Sequence, residues 1–261
     1  MGNRNYADIV LHDLAAKVTA SSILVQPIGA VEAHGPHLPM STDFLIAAAA
    51  VERLVDRCGE RDDLWALPPL AYSKSDEHSW APGTISLSAD TMLRLLDELG
   101  RSLATTAARK LVFVNAHGGN SALLQIACRD LRVRYGLQTF LAHPFTATDA
   151  GNEFGMSIHG GHDETSMLMA IRPELVDVSK AVRSVPEHLA KNRHVRWGGS
   201  VSFGWLSNDF EIPPANGELA LGVIGDPTGA NAAHGETVWE RVLSNLDEAM
   251  AEIVAWNPTG K

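Results

Sequence analysis

Apolar positions along this chain follow two rhythms. Short unbroken runs, Ile23-Leu24-Val25 and Leu111-Val112-Phe113-Val114, predict strands buried on both faces. Longer stretches space their apolar residues three or four apart and predict helices packed along one side. Phe44, Ala48, Val51 and Val55 predict a helix over 44–58, with Gly59 as its stop. Met92, Leu95, Leu96, Leu99 and Leu103 predict another, capped by Ser88. Leu124, Ala127, Leu131 and Tyr135 predict a third, and a fourth is expected from about Asp163 to just before Pro173. Val238, Val242, Leu246, Ala249 and Ile253 align in a closing helix over 235–254. Shorter strands are expected at 64–67, 139–142 and 200–206. Residues 72–88 predict an ordered loop with Gly83 at a turn, and 151–162 a glycine-rich passage. Neither a repeat nor a linker interrupts the alternation, so one domain over 1–261 is expected. Strands alternating with helices imply an α/β fold, a mostly parallel sheet covered on both faces.

That architecture gives the polar motifs an address, because ligands of open α/β sheets bind in the loops beyond the carboxyl ends of the strands. Two such loops carry the chemistry. The first, Pro27 to Asp43, places Glu32, His34, His37 and Asp43 within twelve residues; the second, Asn115 to Asn120, carries His117. Glu32 and His34 are two apart, so an extended backbone points both side chains the same way. With Asp43 and His117 they make two carboxylates and two imidazoles and no thiolate, a donor set suited to Zn²⁺, Mn²⁺ or Fe²⁺. The two oxygens of Asp43 could each hold one ion, and a pair about 3.5–4 Å apart activates a water while polarising a carbonyl. Each residue alone has a blander use: Asp43 as a helix cap, Glu32 and the loop histidines as solvated polar groups, His117 as a backbone partner. Their concurrence at one sheet edge favours ligation. A third segment, His159 to Ser166, places His159 in a loop where an imidazole can act as general acid or base. Glu164 falls in a first helical turn, where the helix dipole favours a carboxylate. His162 and Asp163 are expected to be solvent-exposed and capping, respectively.

Composition narrows the partners. The 261 residues carry a formal net charge of −10, which argues against nucleic acid or an anionic membrane surface. The two cysteines, Cys58 and Cys128, sit in helical patterns and suggest neither a disulfide framework nor a thiolate site. The amino-terminal sequence lacks the basic head and apolar run of a signal peptide, and no run reaches the ~18 apolar residues of a membrane span. A cytoplasmic location is expected.

Five passages together resemble the creatininase (creatinine amidohydrolase) family: GAVEAHGPHLPMSTD (29–43), EHSWAPGTISL (77–87), VNAHGGN (114–120), HGGHDETS (159–166) and GDPTGA (225–230). The resemblance implies a three-layer α/β/α fold, often a homohexamer, and a two-metal site that hydrolyses amide C–N bonds; the cofactor expected here is one or two divalent ions. Residue by residue, it implies Glu32, His34, Asp43 and His117 as metal ligands, with Asp43 bridging, and Glu164 as a further ligand. His159 matches the proton-transfer histidine, His78 lies in a loop bordering the substrate pocket, and His37 stands behind the ligands. Two departures bear on the substrate. Creatininase proper has a glutamate two residues beyond the histidine matched by His117, where this chain has Gly119. It also has tryptophans before the His159 element, whereas 144–158 contains none. Both argue against creatinine itself. Ala116 and Gly160 are milder changes, from the usual glycine and alanine.

The expected activity is therefore metal-assisted hydrolysis of a small cyclic or linear amide, with His159 passing a proton to the departing nitrogen. Alternatives within the enzyme class are trimming of a small peptide or cofactor precursor, and deformylation or ring opening of a nucleotide-like compound. A mononuclear iron oxygenase would usually ride on an all-β barrel, against the helical pattern here. A purely structural metal would close its coordination shell, often with thiolates.

Overall fold

The computed structural model describes residues 4–144, 158–189, 191–195, 200–201, 204–210 and 222–257. Among them, four strands form one parallel sheet in the order β2-β1-β3-β4: β1 Ile23–Ile28, β2 Leu64–Ala66, β3 Lys110–Asn115 and β4 Gln138–Ala142. A short helix, α1 (Leu14–Lys17), precedes β1, and α2 (Thr42–Asp62), α3 (Ala89–Leu103), α4 (Ser121–Tyr135), α5 (His162–Ile171) and α6 (Ala232–Ala255) follow in order. The α/β alternation expected from the apolar rhythm is thus present.

Period-two alternation along β1 and β3 feeds two cores. Ile23, Val25, Val112 and Val114 face α2, Met167 of α5 and α6, whose Trp239, Val242 and Met250 are buried. Leu24, Ile28, Leu111 and Phe113 face α3 and α4 through Met92, Leu96, Leu124 and Leu131. The central strands are apolar on both sides because both sides are covered. No helix among the described residues is long and apolar enough to cross a membrane.

Two expectations need correction. The first helix does not stop at Gly59 but runs through it to Asp62. Its stop is Asp63, in the left-handed region at φ +52°, with its N–H on the Gly59 carbonyl. Arg4 (2.5 Å), Ser22 Oγ (2.6 Å) and Trp65 Nε1 (3.1 Å) all donate to the Asp63 carboxylate, so a side-chain network ends this helix where a glycine was expected to. The second concerns 200–206: the described part forms no strand, only an isolated bridge between Val195 and Val201. Residues 202–203 and the passage 151–157 lie outside the described residues. Ser88 does cap α3, accepting from Thr91 N, and Gly83 does sit at a turn, φ +90°.

The contact that positions the functional edge is between the exit of β1 and the start of α2. A Cβ on Gly29 would lie 2.4 Å from Phe44 N and 2.6 Å from the Asp43 carbonyl oxygen, so only glycine lets the helix close on the strand end. The Gly29 carbonyl also accepts from Ser73 Oγ (2.6 Å) and Asn120 Nδ2 (3.3 Å), tying three loops together. Gly29→Ala must move backbone rather than a flexible side chain, and is expected to cost about 1–3 kcal/mol in reversible urea denaturation. A variant as stable as the parent would show that this close approach is not required.

Candidate metal centre

Each ligating side chain expected from the sequence is delivered by a different backbone device. Beyond β1, Glu32 N donates to the Met40 carbonyl (2.9 Å), folding the loop back so that Glu32 and His34 turn inward. Asp43 lies in the first turn of α2 but does not cap it; the N-cap position is Ser41, and the Asp43 carboxylate faces His34 and His117 instead. His117 follows β3 directly, its N–H held by Asn115 Oδ1 at 3.2 Å. Glu164 occupies the first turn of α5.

These groups meet. His34 Nε2 is 3.0 Å from Asp43 Oδ1 and 3.6 Å from Glu164 Oε1. His117 Nδ1 is 3.0 Å from Asp43 Oδ2 and 3.2 Å from Glu32 Oε1. Asp43 therefore turns one oxygen to each imidazole. The far nitrogens are committed: His34 Nδ1 donates to the Glu32 carbonyl (3.1 Å), and His117 Nε2 donates to the Lys74 carbonyl (2.8 Å). An imidazole whose N–H is pinned to a backbone carbonyl presents a lone pair at its other nitrogen, which is how a metal ligand is oriented. Glu32 and His34 are 0% and 1% exposed, and Asp43 and His117 are also buried, at 2% and 4%.

Such burial has to be compensated, since an isolated carboxylate in a low-dielectric interior is costly. Neither Glu32 Oε1 nor Asp43 Oδ2 accepts a hydrogen bond among the described residues. Burial pushes the Glu32 carboxyl up, but His117 and His159 together bring the pKa down to about 2. Burial likewise opposes ionisation of Glu164, yet His34 takes it to about 2. Asp43 is lowered against its own burial by His34 and His117. Conversely, His34 and His117 are raised well above the ordinary imidazole value, their burial overcome by the facing carboxylates. Three carboxylates converging with two imidazoles, two of the carboxylate oxygens without a hydrogen bond, form a donor set that fits one or two divalent ions once the rings give up their inward protons.

The remaining expected residues are close by. His159 Nε2 donates to the Ala33 carbonyl (2.7 Å), leaving Nδ1 3.7 Å from Glu32 Oε1. Burial and the His34 charge hold its pKa below the usual value, so it sits as a neutral base. Its ring lies between His34 (centroids 4.0 Å) and His78 (4.1 Å). His78 is buried, with Nε2 3.5 Å from Glu32 Oε1, and Trp205 stands edge-on to it at 6.5 Å. His37 lies one layer out, its Nε2 bonded to Thr165 Oγ1 at 3.0 Å. The expectation for Asp163 fails: it is buried and joins α5 to α6 through His234 Nε2 (2.6 Å) rather than capping a helix in solvent. Its neighbour His162 is a quarter exposed.

Sequence reasoning missed Ser75, whose hydroxyl donates to Glu32 Oε2, and Glu77, whose Oε1 is 3.4 Å from His117 Nε2. Both precede His78 in the same loop. A polar loop has no periodicity to flag them, and their nearness to His78 was the available signal. An open groove of about 1020 Å³ runs between α2 and the β2 edge and is lined by none of these residues.

A parallel α/β sheet with inward-facing carboxylates and imidazoles beyond its carboxyl edge is an arrangement able to hold divalent metal. A family model described as creatinine amidohydrolase matches residues 7–250, and the chain belongs to the creatininase family. It is 36% identical over 250 residues to a mycofactocin precursor peptide peptidase of Mycobacterium ulcerans (strain Agy99), covering 92% of this chain and 87% of the relative. It is 32% identical over 202 residues to a creatinine amidohydrolase of Pseudomonas putida, covering 69% and 76%. A solved structure described as "Creatininase Mn" superposes with a TM-score of 0.75 at 25% identity, covering 97% of this chain and 99% of that one. The chain is thus a creatininase-family amidohydrolase that acts on C–N bonds.

The raised imidazoles fix the sign of a pH dependence. The carboxylates facing His34 and His117 favour their protonated forms, which ligation must reverse, so metal uptake should release protons and strengthen as pH rises. Titration calorimetry in buffers of different ionisation enthalpy checks this; buffer-independent heats would contradict it.

Proposed function

We propose that this chain hydrolyses the C–N bond of a small amide, with Glu32, His34, Asp43, His117 and Glu164 holding one or two divalent ions of zinc, manganese or iron. The observation that carries the reading is Asp43 turned to two imidazoles, each pinned by its far nitrogen to a backbone carbonyl. Such ions lower the pKa of a bound water and polarise the scissile carbonyl. The protein's own residues then have separable tasks. Asp43 sets the spacing between the two halves of the centre, while Ser75 and the surrounding burial fix Glu32. His159, neutral and tethered through Nε2, offers Nδ1 to accept a proton and return it to the departing nitrogen, which would otherwise leave as an unstable anion. His78, stacked on His159 and backed by Trp205, forms the wall against which a substrate would lie.

A second reading takes a short peptide or cofactor precursor as the amide. The 36% identity to a precursor peptide peptidase over 92% of the chain favours it, as does the absence of tryptophan between 144 and 158. The family resemblance also supports assembly into a homo-oligomer, and the acidic composition a cytoplasmic enzyme without nucleic-acid or membrane partners.

Asp43→Ala is expected to abolish both metal retention and turnover. His159→Ala should keep its metal, by elemental analysis, and lose about 10²–10⁴-fold in turnover. The assay is a panel of cyclic amides, formamides and short peptides; full activity in the His159 variant would remove its assigned role.

A further inference from the structure

Gly119 has no need of glycine's backbone freedom, for it is not among the residues with positive φ. What it lacks is room. A Cβ there would lie 2.1 Å from Glu77 Oε1, 2.8 Å from Glu77 Cδ and 2.5 Å from His117 Nε2. The space beside His117 is filled instead by a carboxylate from the loop that follows β2. Glu77 reaches in over Ser75 and His78, its side chain only 11% exposed, and brings Oε1 to 3.4 Å from His117 Nε2. The same nitrogen donates to the Lys74 carbonyl, so one short stretch, 74–78, supplies both acceptors that face the rear of the His117 ring, and a third group, Ser75, that holds Glu32.

We infer that Glu77 is a positioning residue for the metal centre, acting through His117, and that Gly119 is glycine to admit it. The inference rests on the metal-centre reading above. A carboxylate behind a ligating imidazole orients the ring and makes its other nitrogen a stronger donor, and loss of such a group typically costs 10–100-fold in metal affinity. Glu77 is not itself placed as a ligand: Glu32 and Asp43 face His117 Nδ1, on the opposite edge of the ring. The two positions are coupled, because any side chain at 119 displaces the carboxylate at 77.

The test uses the full chain and Zn²⁺ or Co²⁺ alone. Glu77→Gln keeps the shape and removes the charge; Gly119→Ala keeps the charge and removes the space. Both are expected to fold, by circular dichroism of the metal-free proteins, and to bind metal 10–100-fold more weakly in chelator competition. Both should also shift the visible d–d bands of the Co²⁺ protein, a signature that a merely structural role would leave in place. Glu77→Asp should recover part of the affinity, and Asp76→Asn, next door but exposed, should bind as the parent does. Parent-like affinity and spectrum in either Glu77→Gln or Gly119→Ala overturns the inference. If the unaltered protein itself retains no metal, the metal-centre reading falls and takes this one with it. If it retains metal and the variants do so equally, the Glu77 role alone falls.

Discussion

One buried aspartate, shared between two imidazoles, is the constraint to which the rest of the molecule answers. Asp43 is 2% exposed and turns an oxygen to His34 and another to His117, which come from loops more than 70 residues apart. Closing that arrangement requires α2 to start hard against the end of β1, and Gly29 makes this approach possible. It also requires β3 to lie beside β1, in register from Ile23 with Lys110 to Ile28 with Asn115, so that both strands end at one level. The two hydrophobic cores hold these strands from either face. Function thus rests on strand register as much as on the ligands.

Charge balance links the centre to its surroundings. Three carboxylates with two imidazoles leave an excess of negative charge in a dry site, which divalent ions are suited to neutralise. The backbone carbonyls of Glu32, Ala33 and Lys74 fix which nitrogen of His34, His159 and His117 faces inward. These are main-chain atoms, so the orientation survives changes in neighbouring side chains that leave the loop path intact.

Much of this was legible in the sequence. Unbroken apolar runs located β1 and β3, and helical spacing located α2, α3, α4, α5 and α6, because burial on one or two faces imposes those periods. Glu32, His34, Asp43 and His117 were found since they lie where strands hand over to helices, whereas the place of Glu164 and the role of His159 came from the family resemblance. Less legible were features set by tertiary contacts. α2 passes through Gly59 because packing outweighs one residue's propensity, and it stops where Arg4, Ser22 and Trp65 hold Asp63. Asp163, next to ligand-like residues, serves the joint between α5 and α6, a role that depends on His234 seventy positions away. Ser75 and Glu77 stand in a loop whose path no periodic pattern records.

The central claim is that the cluster of carboxylates and imidazoles around Asp43 is where this chain would hold divalent metal. Anomalous diffraction from crystals soaked in Zn²⁺ or Mn²⁺ tests it most directly. The account predicts a peak about 2.0–2.2 Å from an Asp43 oxygen and from His34 Nε2 or His117 Nδ1. Crystals that hold metal only elsewhere, with no peak at Asp43, would contradict it.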